Sequence, residues 1–336
     1  MKLGLIFPGG GMKIRDMVTI AKEAEGAGFD SLYVTEAWRS GFVPLTALAM
    51  ATQHVRLGPY VLNAYGRSPM LTGMSAIDLD ELSGGRLLLG VGSGNRHINE
   101  DWQGVPHVEP YQKMKEYIEC LKQIVRTPMG TPMKYEGKIH RMQWTPAVQP
   151  LRESIPIYLS AIFPRMVKVA GQVADGVAIG AMGSVEYLRD VLQPRVREAA
   201  AHAGRDPRSL GYVMAIFVSV SDDREQARQA AREAICRLFS PLPHPYYDFL
   251  LREQGFSAAA DTAQKLAPQG KFKQAAEAIP DEAIDRLTIA GTPAECRKRI
   301  AAYEGVVEEV ICVNVSYSAT PSTDPLGLYR QIIDLR

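Results

Sequence analysis

Long apolar runs are missing from this 336-residue chain: none approaches the roughly 18 residues that a membrane span requires, so no membrane association is expected. An excess of either charge is missing too. The 38 Lys and Arg nearly balance 37 Asp and Glu, which argues against broad electrostatic binding of nucleic acid. Cysteine is scarce, and Cys120, Cys236, Cys296 and Cys312 are far apart, with no C-x-x-C and no neighbouring histidine. They read as free, packed thiols. The six histidines show neither H-E-x-x-H nor a paired-cysteine spacing, so no metal is expected. The opening "MKLGLIFPGGG" reads as a strand that begins at once, without a signal peptide, and the expected location is cytoplasmic.

What the chain does have is alternation. Apolar, β-rich runs recur at Lys2–Phe7, Ser31–Thr35, Val55–Leu62, Arg86–Gly92, Ile157–Ala161, Gly176–Ala181, Gly211–Val220 and Glu309–Val315. Several are almost wholly apolar, as parallel strands buried on both faces should be. Helix starts fall between them. Ser68-Pro69 sets a cap before a proline, Pro164 opens "RMVKVAGQVA", and Thr292-Pro293-Ala294-Glu295 is a capping box with proline inside it. Eight such units predict an α/β protein, a (β/α)8 TIM barrel forming one domain over residues 1–336. Insertions are expected after strands 4 and 7. The first holds a hairpin at "MKYEGKIHRM"; the second, about 222–287, contains "SPLPHPYYDF" and the basic loop "APQGKFKQ" and is a candidate lid.

The stretch "LSGGRLLLGVGSGNRHINEDWQGV", residues 82–105, carries Gly90, Gly92 and Gly94 behind an apolar run. A dinucleotide loop needs G-x-G-x-x-G opening a helix. His97 or Asn95 occupies the third glycine position, and Gly104 and Pro106 interrupt the polar segment beyond it, so that reading fails. A strand ending in small residues is left, open to close approach by something flat. In a barrel of this type the chemistry sits at the carboxyl ends of strands. Those ends offer Phe7, Glu36 with Trp38, Asn63, Ser93 with Gly94 and Asn95, Ser160 with Ala161, and Gly180 with Ala181. One carboxylate and no nucleophile–base pair point to chemistry borrowed from a cofactor. A cofactor-free hydrolase would need a second carboxylate opposite Glu36.

Four motifs in order, "RLGPYVLNAYGRSP", "DELSGGRLLLGVGSGN", "IPIYLSAIFPRMVKVAGQVADG" and "IAGTPAECRKRI", resemble the bacterial luciferase-like superfamily. The similarity is greatest to its F420-dependent methylenetetrahydromethanopterin reductase-like members. It implies a barrel binding F420 or, alternatively, FMN. The strand-four glycines would then let the ring approach, and Tyr60–Val61 would be a non-prolyl cis bond behind it. Asn63, Ser93, Gly94 and Asn95 would line the ring and its ribityl chain. Ser160, Ala161, Ile162, Phe163, Arg165, Gly180 and Ala181 would surround the phosphate. Glu36, Trp38 and His97 are the candidate catalytic residues. Lys271 and Lys273 could meet the acidic tail of F420 or simply face solvent. Glu36 could instead pair with Arg39 or Arg67, Asn63 could cap a turn, and Trp38 and Phe7 could be packing residues.

The departures are specific. Relatives that oxidise alcohols place a histidine after the strand-two acid, and here Ala37 stands there. Many flavin-dependent members carry a glutamate where this chain has Asn99. The expected function is hydride transfer between the deazaflavin C5 and an electron-poor C=C or C=N bond of a small-molecule substrate. The alternatives are a monooxygenase fed reduced FMN by a separate flavin reductase, and a flavin-binding protein without catalysis. The resemblance also implies a homodimer.

Overall fold

The computed structural model describes residues 1–8, 10–240, 245–315 and 324–336. Twelve strands are present among them. They are β1 (Lys2–Phe7), β2 (Ser31–Val34), β3 (Arg56–Pro59), β4 (Leu62–Asn63), β5 (Leu89–Gly92), β6 (Met133–Glu136), β7 (Arg141–Trp144), β8 (Ile157–Ser160), β9 (Gly176–Ile179), β10 (Gly211–Val220), β11 (Ile289–Gly291) and β12 (Glu309–Asn314). Helices separate most of them, and the chain divides into two compact units.

One unit comprises Met1–Asp30, Ile179–Pro194 and Tyr212–Arg336. Its strands are all parallel. β12 lies between β1 and β10, with Gly4 opposite Ile311 and Ala215 opposite the same residue, and β11 flanks the far side of β10. Every residue of β10 but its last is buried, which explains its apolar run from Tyr212 to Val218. Phe7 is buried against the Tyr329 ring, 5.5 Å between centroids, and the Tyr329 hydroxyl donates to Ile6 O at 2.8 Å. Phe7 is therefore a packing residue.

Most of the second insertion lies in this unit and is helical where described: Arg224–Arg237, Pro245–Glu253, Ser257–Leu266, Phe272–Ala276 and Asp281–Leu287. The basic loop expected at "APQGKFKQ" is thus a short turn and a helix, with Lys271 and Lys273 exposed. Pro241, Leu242, Pro243 and His244 of "SPLPHPYYDF" lie outside the described residues. Gln254 ties this segment to the chain after β9. It donates to Met182 O at 2.7 Å and accepts from Ser184 N at 2.8 Å.

The other unit comprises Ser31–Ala178 and Arg195–Gly211. β2 pairs with β3, and β5 lies between β4 and β8, with β9 beyond β8; all these pairs are parallel. Leu88 N donates to Leu57 O at 2.8 Å and joins the two groups of strands. β6 and β7 form the expected antiparallel hairpin. The run expected as one strand from Val55 to Leu62 is divided into β3 and β4, because the chain turns at Tyr60–Val61, whose peptide bond is cis. The helix Pro69–Leu82 starts as expected, with Ser68 Oγ accepting from Leu71 N at 3.1 Å.

The "DELSGGR" segment has a mechanical role. Asp80 accepts both nitrogens of a forked contact from Arg152 at 2.9 and 2.7 Å. Arg86 donates to Ala49 O, Thr52 O and Val55 O at 2.8–3.0 Å, satisfying carbonyls at and beyond the end of the helix Phe42–Ala51. All four cysteines are free and buried. No described helix is long and apolar enough to cross a membrane.

Candidate active site

Just past the end of β2, Glu36 meets the end of β4. Its carboxylate turns back onto the chain: Oε2 accepts Gly41 N–H at 2.9 Å and Oε1 accepts Asn63 N–H at 3.2 Å. Arg67, one of the two arginines considered from sequence, stands 4.0 Å from Oε2 with its guanidinium 5.0 Å above the Phe42 ring. Arg67 Nε is buried and has no hydrogen-bond partner. A buried donor left open beside a fixed carboxylate fits a site completed by another molecule.

Asn63 leads into a chain of amides. Its Oδ1 accepts Tyr65 N–H at 2.9 Å, and its Nδ2 donates to Asn99 Oδ1 at 2.7 Å. Asn99 is fully buried. Its Nδ2 donates to Ser93 O at 2.8 Å and to His107 Nδ1 at 2.7 Å. Backbone groups at both ends orient both amides, so His107 Nδ1 must accept and the ring proton sits on Nε2. Burial, reinforced by the Arg96 guanidinium and opposed by Glu100, holds His107 below the usual histidine range. Its ring stacks on Tyr65 at 4.7 Å.

The three glycines of β5 and its exit leave room for the protein's own atoms. A Cβ on Gly90 would stand 2.3 Å from Pro59 O, and one on Gly92 would stand 2.7 Å from a Val61 methyl. Gly94, at φ +60°, would meet the Asn63 and Asn99 amides at 2.7 and 2.8 Å. Gly90 and Gly92 are required by the turn between β3 and β4, which packs where their side chains would stand. Ser93 contributes its carbonyl, and Asn95 Oδ1 accepts Ile98 N–H at 2.8 Å.

From that cap the chain makes one wide turn, closed by Gln103 N–H donating to Ile98 O at 3.2 Å. His97, Asp101 and Trp102 share its outer side. His97 Nδ1 contacts the Asp101 carboxylate, and the Trp102 indole N–H donates to His97 Nε2 at 3.1 Å. Both ring nitrogens of His97 are therefore engaged. Trp38 is 69% exposed, so it is not a core residue; its ring lies 5.7 Å from that of Trp102, itself 45% exposed.

Further strand ends carry the remaining candidates. Ser160 closes β8, Ala161 is buried, and Ile162 and Phe163 are half-buried. Phe163 precedes the helix Pro164–Val173, whose start has proline in its first turn and no side-chain cap. Arg165, exposed in that first turn, lies over the Tyr111 ring at 4.0 Å. Gly180 and Ala181 follow β9 and are half-buried. Tyr60 is buried, edge-on to Tyr33 at 5.5 Å. Sequence reasoning missed Trp102 and His107, and it registered Asn99 only as a departure. Asn99 had a local signal in its place five residues before Gly104; the other two had none.

A family profile described as luciferase-like monooxygenase matches residues 1–307. The chain belongs to the luciferase-like family. Among its relatives, a 5,10-methylenetetrahydromethanopterin reductase of Archaeoglobus fulgidus is 31% identical over 304 residues, covering 89% of each chain. A putative coenzyme F420-dependent oxidoreductase of Mycobacterium tuberculosis is 30% identical, covering 90% of this chain and 92% of its own. The solved coenzyme F420-dependent tetrahydromethanopterin reductase of Methanopyrus kandleri superposes with a TM-score of 0.81 at 25% identity, over 99% of this chain and 97% of that one. The fold class is accordingly α/β, the (β/α)8 barrel expected from the alternation. The chain is an enzyme of the oxidoreductase class that this family defines.

Proposed function

We propose that this protein is an F420-dependent oxidoreductase acting on an electron-poor C=C or C=N bond of a small molecule. The observation that carries the reading is the set of groups around Glu36: one fixed carboxylate, amides committed to holding the strand ends and, among the described residues, no nucleophile paired with a base. Such a site orients reactants and leaves the bond chemistry to a cofactor. The Mycobacterium and Methanopyrus relatives are described as F420-dependent, and F420 is the cofactor we assign.

The residues present fit it. The open Arg67 Nε lies beside Glu36. The start of the helix Pro164–Val173 carries no side-chain cap, so the positive end of its dipole is not neutralised there, and Arg165 adds its charge in the first turn. Ser160, Ala161, Ile162 and Phe163 lead into that start, and we assign them with Arg165 to the phosphate. Tyr60, Val61, Asn63, Ser93, Gly94 and Asn95 are assigned to the ring side. When bound, the deazaflavin supplies or accepts a hydride at C5. Glu36, held by Gly41 and Asn63, keeps a fixed place from which it can hold or give up a proton at the substrate. Ala37 leaves the site without the histidine that serves alcohol-oxidising relatives, which favours double-bond chemistry over alcohol oxidation.

Fluorescence titration of the purified protein with F420, and separately with oxidised and reduced FMN, tests this. Micromolar binding of F420 with FMN excluded is expected. The family profile's own description favours a second reading, a monooxygenase supplied with reduced FMN by a separate reductase. Preferential binding of reduced FMN, with substrate-dependent oxygen uptake, would overturn the first reading in its favour.

A further inference from the structure

We infer that Trp38 and Trp102 form a rigid shelf that selects planar, aromatic-conjugated substrates, and that His97 is its positioning residue. This rests on the oxidoreductase reading for the fate of the bound molecule, but not for its binding.

The contacts form a closed circuit. Glu36 accepts from Asn63 N–H, and the Asn63 amide donates to Asn99. Asn99 lies on the buried side of the turn that carries Trp102 on its exposed side. Trp102 packs on Trp38, and Trp38 is two residues from Glu36. Each link is a hydrogen bond, a ring contact or a few bonds of backbone. The indoles are therefore fixed relative to the carboxylate although both are exposed.

His97 fixes the outer indole. Its Nδ1–H points at the Asp101 carboxylate, so Nε2 is left to accept from Trp102. The imidazole also stands edge-on to the indole, 5.6 Å between centroids at 73°. A histidine with both nitrogens committed in this way acts as a brace.

The bracing also sets what the shelf recognises. With its N–H consumed by His97, Trp102 presents only ring surface to a ligand. Two exposed, tilted π faces that are already ordered lose little freedom on binding, and they favour flat conjugated partners through stacking as well as burial. An aliphatic group of equal volume gains the burial alone.

The test uses a matched pair of enones, 4-phenylbut-3-en-2-one and 4-cyclohexylbut-3-en-2-one, bound to the full chain and followed by calorimetry. The phenyl compound is expected to bind about tenfold more tightly. His97→Ala and Trp102→Phe both remove the brace while leaving an aromatic ring at 102, so each should abolish most of that preference. The double variant should lose no more than either single one. Equal affinity for the two enones would overturn the shelf, as would a preference that survives both substitutions. Additive losses in the double variant would overturn the bracing role. A change of sedimentation coefficient in Trp102→Ala would show that a second copy covers the indoles, and would also overturn the proposal. The enones need no cofactor, so failure of the wild-type protein to bind F420 would remove the proposed chemistry and still leave this question decidable.

Discussion

Glu36 and Glu116 are two carboxylates that the fold withdraws from water, and their surroundings differ in one countable respect. Glu116, on the helix Pro110–Arg126, is 2% exposed. It accepts from Lys138 N at 2.9 Å, Ile139 N and His140 N at 2.8 Å, and Gln112 Nε2 at 2.6 Å. Four donors match the roughly four acceptor positions of a carboxylate. The group is saturated, and its work is to pin the turn between β6 and β7 onto the helix. A Cβ on Gly137 would lie 2.3 Å from its Oε2, so even that turn is shaped to it. Glu36 accepts two backbone donors and keeps its arginine at 4.0 Å. Its position is fixed while part of its acceptor set stays open. Saturation marks a structural carboxylate, and partial saturation marks one that can still meet a substrate.

The largest expected effect falls on the saturated group. Glu116→Ala strips the partner from three backbone N–H groups beneath the hairpin and should cost about 3 kcal/mol of unfolding free energy. Urea denaturation followed by circular dichroism measures it; an unchanged midpoint would dissolve the distinction drawn here. Next comes Glu36→Gln. It keeps the shape and one acceptor oxygen but removes the charge and the exchangeable proton. Turnover with F420 and an acceptor should fall about a hundredfold, the scale of a lost acid–base group, while the urea midpoint moves far less than in Glu116→Ala. A large loss of stability with little loss of turnover would place Glu36 in the same class as Glu116.

Much of the scaffold was legible in the sequence, and the reason is burial. β1 and β10 have the bounds that their apolar runs suggest, because parallel strands covered on both faces leave no polar interruption. The capping box at Thr292 was equally plain, since both of its partners lie within four residues. The break between β3 and β4 was hidden from the apolar pattern, because "RLGPYVLN" is apolar through most of its length and the turn is accommodated by Gly90 and Gly92 from another segment, although the family resemblance did point to the cis bond at Tyr60–Val61. β11 is only three residues long and reads as the approach to a helix. At the site, Glu36 and Asn63 could be picked out because strand ends can be counted. Trp102 and His107 could not, because their roles come from Trp38, His97, Tyr65 and Asn99 brought together by folding. Glu116 sits at an unremarkable polar position of an amphipathic helix, and no spacing announces the three N–H groups that meet it.

Acid offers the smallest and most graded way to sharpen the comparison. Burial by itself would raise the Glu116 pKa, but the hydrogen bonds from Gln112 and from the His140, Ile139 and Lys138 backbones outweigh it and bring it to about 2. In the unfolded chain the same carboxyl titrates near its ordinary value, about 4.3. The folded state therefore binds this proton less readily than the unfolded state does. Its contribution to stability is complete above about pH 4.5 and is lost progressively as the pH falls toward 2. Within that window each pH unit should remove up to about 1.4 kcal/mol through this one group. Urea midpoints measured from pH 6 down to 2.5 should fall more steeply for the wild-type protein than for Glu116→Gln, which has no proton to bind there. Parallel curves would mean that the hairpin turn is held by something other than the carboxylate charge, and Glu116 would then lose its place as the saturated counterpart of Glu36.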